Sequence, residues 1–140
     1  MLTTLFTLVV WQMAVKDQPI WKVEAVPPTV SEQVLYSQPK LLSKALDQIQ
    51  FGEYAQSYWY FMGVAGVSYQ DVFKLEIERI KEQFDARFGT LGRSIELINN
   101  TATGTECPIA SKTSIELALQ RIGSHMSPET YVLFLYMTSH

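Results

Sequence analysis

Hydrophobic and polar positions follow two periods along this chain, and the switches between them mark its elements. Tyr131 to Met137 is an almost wholly apolar run that stops on Thr138-Ser139-His140. A short continuous run of this kind predicts a strand buried on both faces, as in parallel sheets flanked by helices. Two further strands are predicted. One is Tyr58–Val64, rich in aromatics and closed by Gly63 and Gly66, and the other is Arg93–Ile98, ending in Asn99-Asn100. Between strands the period becomes helical. Ser68 offers an N-cap with Asp71 three residues on, and Phe73, Ile77, Ile80, Phe84 and Phe88 then recur on one face. Lys74, Glu76, Glu78, Arg79, Lys81 and Glu82 cover the rest of that helix, and Gly89 supplies its C-cap. Thr113-x-x-Glu116 predicts a second capping box, before a helix that presents Ile115, Ala118, Leu119, Ile122 and Met126. Ser127-Pro128-Glu129 turns the chain into the last strand.

Upstream the periodicity weakens. Pro19, Pro27, Pro28 and Pro39 punctuate a polar stretch, so residues 16–56 read as a linker and one short helix. Pro39 suits the first turn of that helix, Leu42, Ala45, Leu46 and Ile49 repeat behind it, and Gly52 ends it. The compact domain spans residues 57–140. Residues Met1–Val15 carry no charge and are mostly apolar. As a helix they would span roughly 22 Å, short of the ~30 Å hydrocarbon core. Two readings stand for this segment: a helix packed on the domain, and the end of a membrane span.

The β-α-β-α-β order predicts parallel strands joined by right-handed crossovers. In such sheets ligands bind beyond the carboxyl ends of the strands. Three polar clusters converge there: Gly66, Ser68 and Gln70 in one loop, Asn99-Asn100 in the next, and Ser139-His140 at the last. A histidine in that place is positioned like a catalytic base.

Composition narrows the possibilities. A net charge of −3 without a basic stripe gives nucleic acid binding no support. His125 and His140 are the only histidines and Cys107 the only cysteine, so no metal centre, cofactor or internal disulfide is expected. Cys107, between Glu106 and Pro108, lacks the electropositive neighbours that make a thiol reactive and reads as structural. His125 reads as a surface residue near a helix end. Gly63-x-x-Gly66 lacks the third glycine and the acidic strand end of a dinucleotide loop.

Several linked strings resemble one family. They are Tyr60-Phe61-Met62-Gly63-Val64-Ala65-Gly66 with Gln70-Asp71-Val72-Phe73, then Phe84-Asp85-x-Arg87-Phe88-Gly89-Thr90-x-Gly92-Arg93-Ser94 with Leu97-Ile98-Asn99-Asn100, and finally Leu133-Phe134-Leu135-x-Met137-Thr138-Ser139-His140. Together with Leu35-Tyr36-Ser37-Gln38-Pro39 they are similar to the legumain-like cysteine peptidases, relatives of the caspases, in their bacterial membrane-associated branch. The resemblance covers about residues 35 to 140.

It implies a caspase-like three-layer α/β/α fold whose parallel sheet is truncated after the third strand, with the first strand between the other two. It also implies a peptide or protein substrate cleaved by a Cys-His mechanism, with His140 as the catalytic histidine of a Ser/Asp-His-Gly motif. Gly66, Ser68, Gln70, Asn99 and Ser139 would line the site. The family's nucleophilic cysteine follows the next strand, which this chain does not contain, so the chain alone is expected to be inactive. Where plant and animal legumains carry the Asn-Tyr-Arg-His stretch of an asparagine pocket, this sequence has Gln70-Asp71-Val72-Phe73, and asparagine specificity does not carry over. The alternative is a non-catalytic, membrane-tethered interaction domain of the same fold.

Overall fold

Strand β1 (Tyr58–Ala65) is apolar at every position, and the fold is built on both of its sides and both of its faces. The computed structural model describes residues 30–53, 56–127 and 129–139. Helix α1 (Glu32–Asp47) precedes β1, and α2 (Asp71–Phe88), β2 (Ser94–Ile98), α3 (Lys112–Gly123) and β3 (Tyr131–Thr138) follow. The strands form one sheet in the order β2-β1-β3, and both pairings are parallel. Phe61 lies opposite Ser94 on one side, and Tyr58 opposite Tyr131 on the other. The predicted α/β architecture, with the first strand central, is therefore what the chain adopts.

Alternation along β1 sorts its side chains between two helical layers. Tyr60, Met62 and Val64 join Ile95, Leu97, Tyr131 and Ile49 in one buried cluster, closed by Ala118 and Ile122 of α3 and by Leu42, Ala45 and Leu46 of α1. On the other face, Ala65 and Ile98 meet Phe73 and Ile77 of α2. Gly63 lets α2 approach closely, since a Cβ there would lie 2.5 Å from Ile77 Cγ2. Phe61, Phe84 and Phe134 extend this layer, with ring centroids 5.1 Å and 4.5 Å apart in successive pairs.

Local expectations at each of the three helices are corrected. Helix α1 begins at Glu32, inside the stretch read as linker, with Ser31 as its N-cap, so Pro39 lies in its interior and not in its first turn. Gln38 explains the longer helix: its amide donates to Gly104 O at 2.7 Å and accepts from Ile109 N at 2.8 Å, tying α1 to the loop before α3. The helix ends with Gln48 as C-cap, ahead of Gly52. At α2 the N-cap is Gln70 and not Ser68. At α3 the capping box is formed by Ser111 and Ser114, two residues ahead of Thr113 and Glu116. Gly89 does cap α2, in the left-handed conformation at φ 64°.

The Asp85–Ser94 segment is a staple between α2 and β2. Asp85 accepts from Lys81 at 2.8 Å, Thr90 at 2.6 Å and Ser94 at 2.8 Å. Burial disfavours its charge, but these three bonds prevail and hold its carboxyl below the ordinary range. Arg93 adds a bond to Gly89 O and lies over the Tyr58 ring, 4.4 Å from its centre. Among the described residues no helix is long and apolar enough to cross a membrane. The apolar segment Met1–Val15 lies outside them.

Candidate functional site

Parallel pairing brings the carboxyl ends of all three strands to one edge. The loop after β1 and the end of β3 meet there directly: Gly66 N–H donates to Thr138 O at 3.0 Å. Ser139 then lies so close that a Cβ on Gly66 would come within 3.1 Å of its Oγ. Gly66 is thus a point of close approach that a side chain would disturb. His140, the predicted catalytic residue, lies outside the described residues.

Two cavities flank this junction. One, of about 420 Å³, is bounded by Val64, Gly66, Ile115, Met137 and Ser139, with Lys112 from the start of α3 at its rim. The other, of about 380 Å³, is bounded by Ser68, Asn99 and Thr101, with Val34 of α1 and Ile109 opposite. The residues predicted to line one site therefore divide between two: Gly66 with Ser139, and Ser68 with Asn99. Gln70 borders neither and caps α2 through an extended backbone at φ −127°.

Ala110 lines both cavities, and Asn99, on the wall of the second, bonds to it and to Gly66. Its Nδ2 donates to Gly66 O at 3.2 Å and Ala110 O at 3.1 Å, while its Oδ1 accepts from Ala110 N at 2.9 Å. With both amide hydrogens engaged, Asn99 ties the loop after β1 to the connection between β2 and α3. Asn100 is buried and does similar work: Nδ2 donates to Asp71 Oδ1 at 2.8 Å, and Oδ1 accepts from Ala102 N at 2.9 Å. This agrees with the turn-forming chemistry expected of the Asn pair.

Cys107 sits on the far side of β1 from β3. Its thiol donates to Glu96 O at 3.4 Å, at the outer edge of β2. Burial, reinforced by the Glu96 carboxylate, pushes the thiol up to about 12. It is protonated at any physiological pH and is no nucleophile in this environment.

One residue at this edge had escaped the sequence reading. Glu76 of α2 accepts from Tyr136 Oη at 2.5 Å and from Thr138 Oγ1 at 2.8 Å. The hydroxyl of Tyr136, then that of Thr138, holds the Glu76 carboxyl below its ordinary value, and the same contact raises Tyr136. A signal was present in the pattern. Glu76 is three residues from Phe73 and four from Ile80, on the inward side of α2, and Tyr136 and Thr138 share one face of an otherwise apolar strand. Among the described residues no cluster of His, Cys, Asp and Glu could hold a metal ion. The chain matches no protein-family model, and no curated protein or solved structure is detectably similar to it.

Proposed function

We propose that this chain is the histidine-bearing part of a legumain-like cysteine peptidase domain, acting on peptide or protein substrates. The observation that carries the reading is the seating of Ser139 against Gly66 at the carboxyl edge of a parallel sheet with β1 in its centre. This supports a role for the next residue, His140, at the edge where such folds do chemistry. In the proposed reaction a cysteine thiolate attacks the peptide carbonyl carbon, the His140 imidazolium protonates the departing amine, and water then hydrolyses the thioester to release the acid and the thiol. The thiolate is supplied from outside these 140 residues, because Cys107 is held neutral on the opposite side of β1. Membrane association through Met1–Val15 belongs to the same proposal.

The test joins this chain to whatever its reading frame encodes beyond codon 140 and measures hydrolysis of peptide amides. Cleavage that His140→Ala abolishes and Cys107→Ser leaves intact is the expected result. No cleavage, or loss on Cys107→Ser with normal folding, overturns it. The apolar edge of β3, unpaired among the described residues, favours a second reading, a non-catalytic interaction domain, which predicts partner capture by a protein that cuts none of those peptides.

A further inference from the structure

The geometry points to Glu76 as a positioning residue for the site, the group that fixes the carboxyl end of β3. The inference rests on the peptidase reading of His140.

Strand β3 is held to β1 along one side only, and no strand among the described residues pairs with its outer side. The end of an edge strand frays readily, since opening it breaks few contacts. Here the last two side chains on the α2 face, Tyr136 and Thr138, both donate to one carboxylate. Glu76 lies 60 and 62 positions away from them in the chain, so these are tertiary ties between layers. Charge-assisted hydrogen bonds are about twice as strong as neutral ones, and two to a single carboxylate define a direction as well as a distance.

The second tie is the Gly66 N–H to Thr138 O bond, made in the plane of the sheet. Thr138 is therefore held by its carbonyl from β1 and by its hydroxyl from α2. Two peptide units separate it from His140, each advancing the chain by about 3.8 Å between Cα atoms. A doubly fixed anchor narrows the positions open to any group two peptide units beyond it. Misplacement of a reacting group by about 1 Å costs on the order of 100-fold in rate. Glu76 itself touches no reacting atom in this account and acts through the strand.

The protein expressed from its whole reading frame tests this in two arms, hydrogen–deuterium exchange of the segment spanning β3 and steady-state peptide hydrolysis. Glu76→Ala should speed exchange at the end of β3 about tenfold and lower kcat about tenfold, with KM within about twofold. Glu76→Gln keeps one acceptor oxygen and should recover part of both. Glu82→Ala, an exposed acid on the same helix, should move neither. Unchanged exchange in Glu76→Ala, or faster exchange with unchanged kcat, overturns the inference while leaving an active wild type as a peptidase. A wild type that cleaves nothing, and that His140→Ala does not alter, overturns the peptidase reading and this inference with it.

Discussion

Strand β2 is five residues long and its outer edge is covered, whereas β3, eight residues long, leaves its outer edge unpaired among the described residues. On β2, Ile98 N donates to Pro108 O and Glu96 O accepts from Cys107, so the loop before α3 closes that edge. Ile95, Leu97 and Ile98 are buried. On β3, by contrast, Val132, Phe134, Leu135 and Met137 are 40%, 38%, 40% and 59% exposed. An apolar run therefore reports the cover a strand is suited to, and its place in the sheet decides how much cover it has. A long apolar edge is also a template for pairing with another chain.

The comparison can be broken at its strongest point first. Leu97→Ala should cost about 2–5 kcal/mol in urea unfolding, because a fully buried side chain leaves a cavity. Leu135→Ala, on the half-exposed edge, should cost no more than about 1 kcal/mol. Equal losses would mean that the two edges are equally packed. Next, Gly63→Ala should destabilise by about 1–3 kcal/mol, since its Cβ would lie 2.5 Å from Ile77 and α2 would have to move.

Asp85→Asn tests the staple on the β2 side and should cost about 1–2 kcal/mol at pH 7. The folded-state value of Asp85 is depressed, so its contribution is present above the unfolded value and is lost as pH falls through the folded one. The gap between wild type and variant should therefore narrow below pH 3.8, read from urea midpoints across that range. Iodoacetamide should label Cys107 at pH 8 at least about tenfold more slowly in the folded protein than in urea. Fast labelling would show the β2 edge to be open. Smallest in stability, Leu135→Lys should change unfolding by about 0.5 kcal/mol or less. It should nevertheless reduce concentration-dependent association in sedimentation, and an unchanged profile would mean that the β3 edge is not sticky.

The strands and the three helices were legible because each rests on a run or a period long enough to carry its own signal, and parallel pairing followed from their alternation, whereas the central place of β1 came only with the resemblance. The start of α1 was not, because what secures it is Gln38 reaching Gly104 and Ile109, partners 66 and 71 positions away. Both caps slipped by two residues, from Ser68 to Gln70 and from Thr113 to Ser111. Much of the family-like text between Phe84 and Ser94 proves to be architecture: Asp85, Gly89, Thr90, Arg93 and Ser94 hold a helix end to a strand. The Gly66, Asn99 and Ser139 clusters do converge, as the parallel order required. Their division between two cavities follows from how the two loops fold over the edge, tied by Asn99 to Gly66 and Ala110, which no local pattern encodes.

The central place of β1 also has a consequence in time. A strand made first must wait for both neighbours. The bond from Asn99 to Gly66 spans 33 positions, and that from Ser57 to Thr130 spans 73. At about 5–20 residues per second of synthesis, β2 can join β1 seconds before β3 leaves the ribosome. For that interval one flank of the most apolar strand in the described chain has no partner. The β1-α2-β2 unit, locked by Asp85, is the piece able to form first, and β3 docks last onto a surface already shaped.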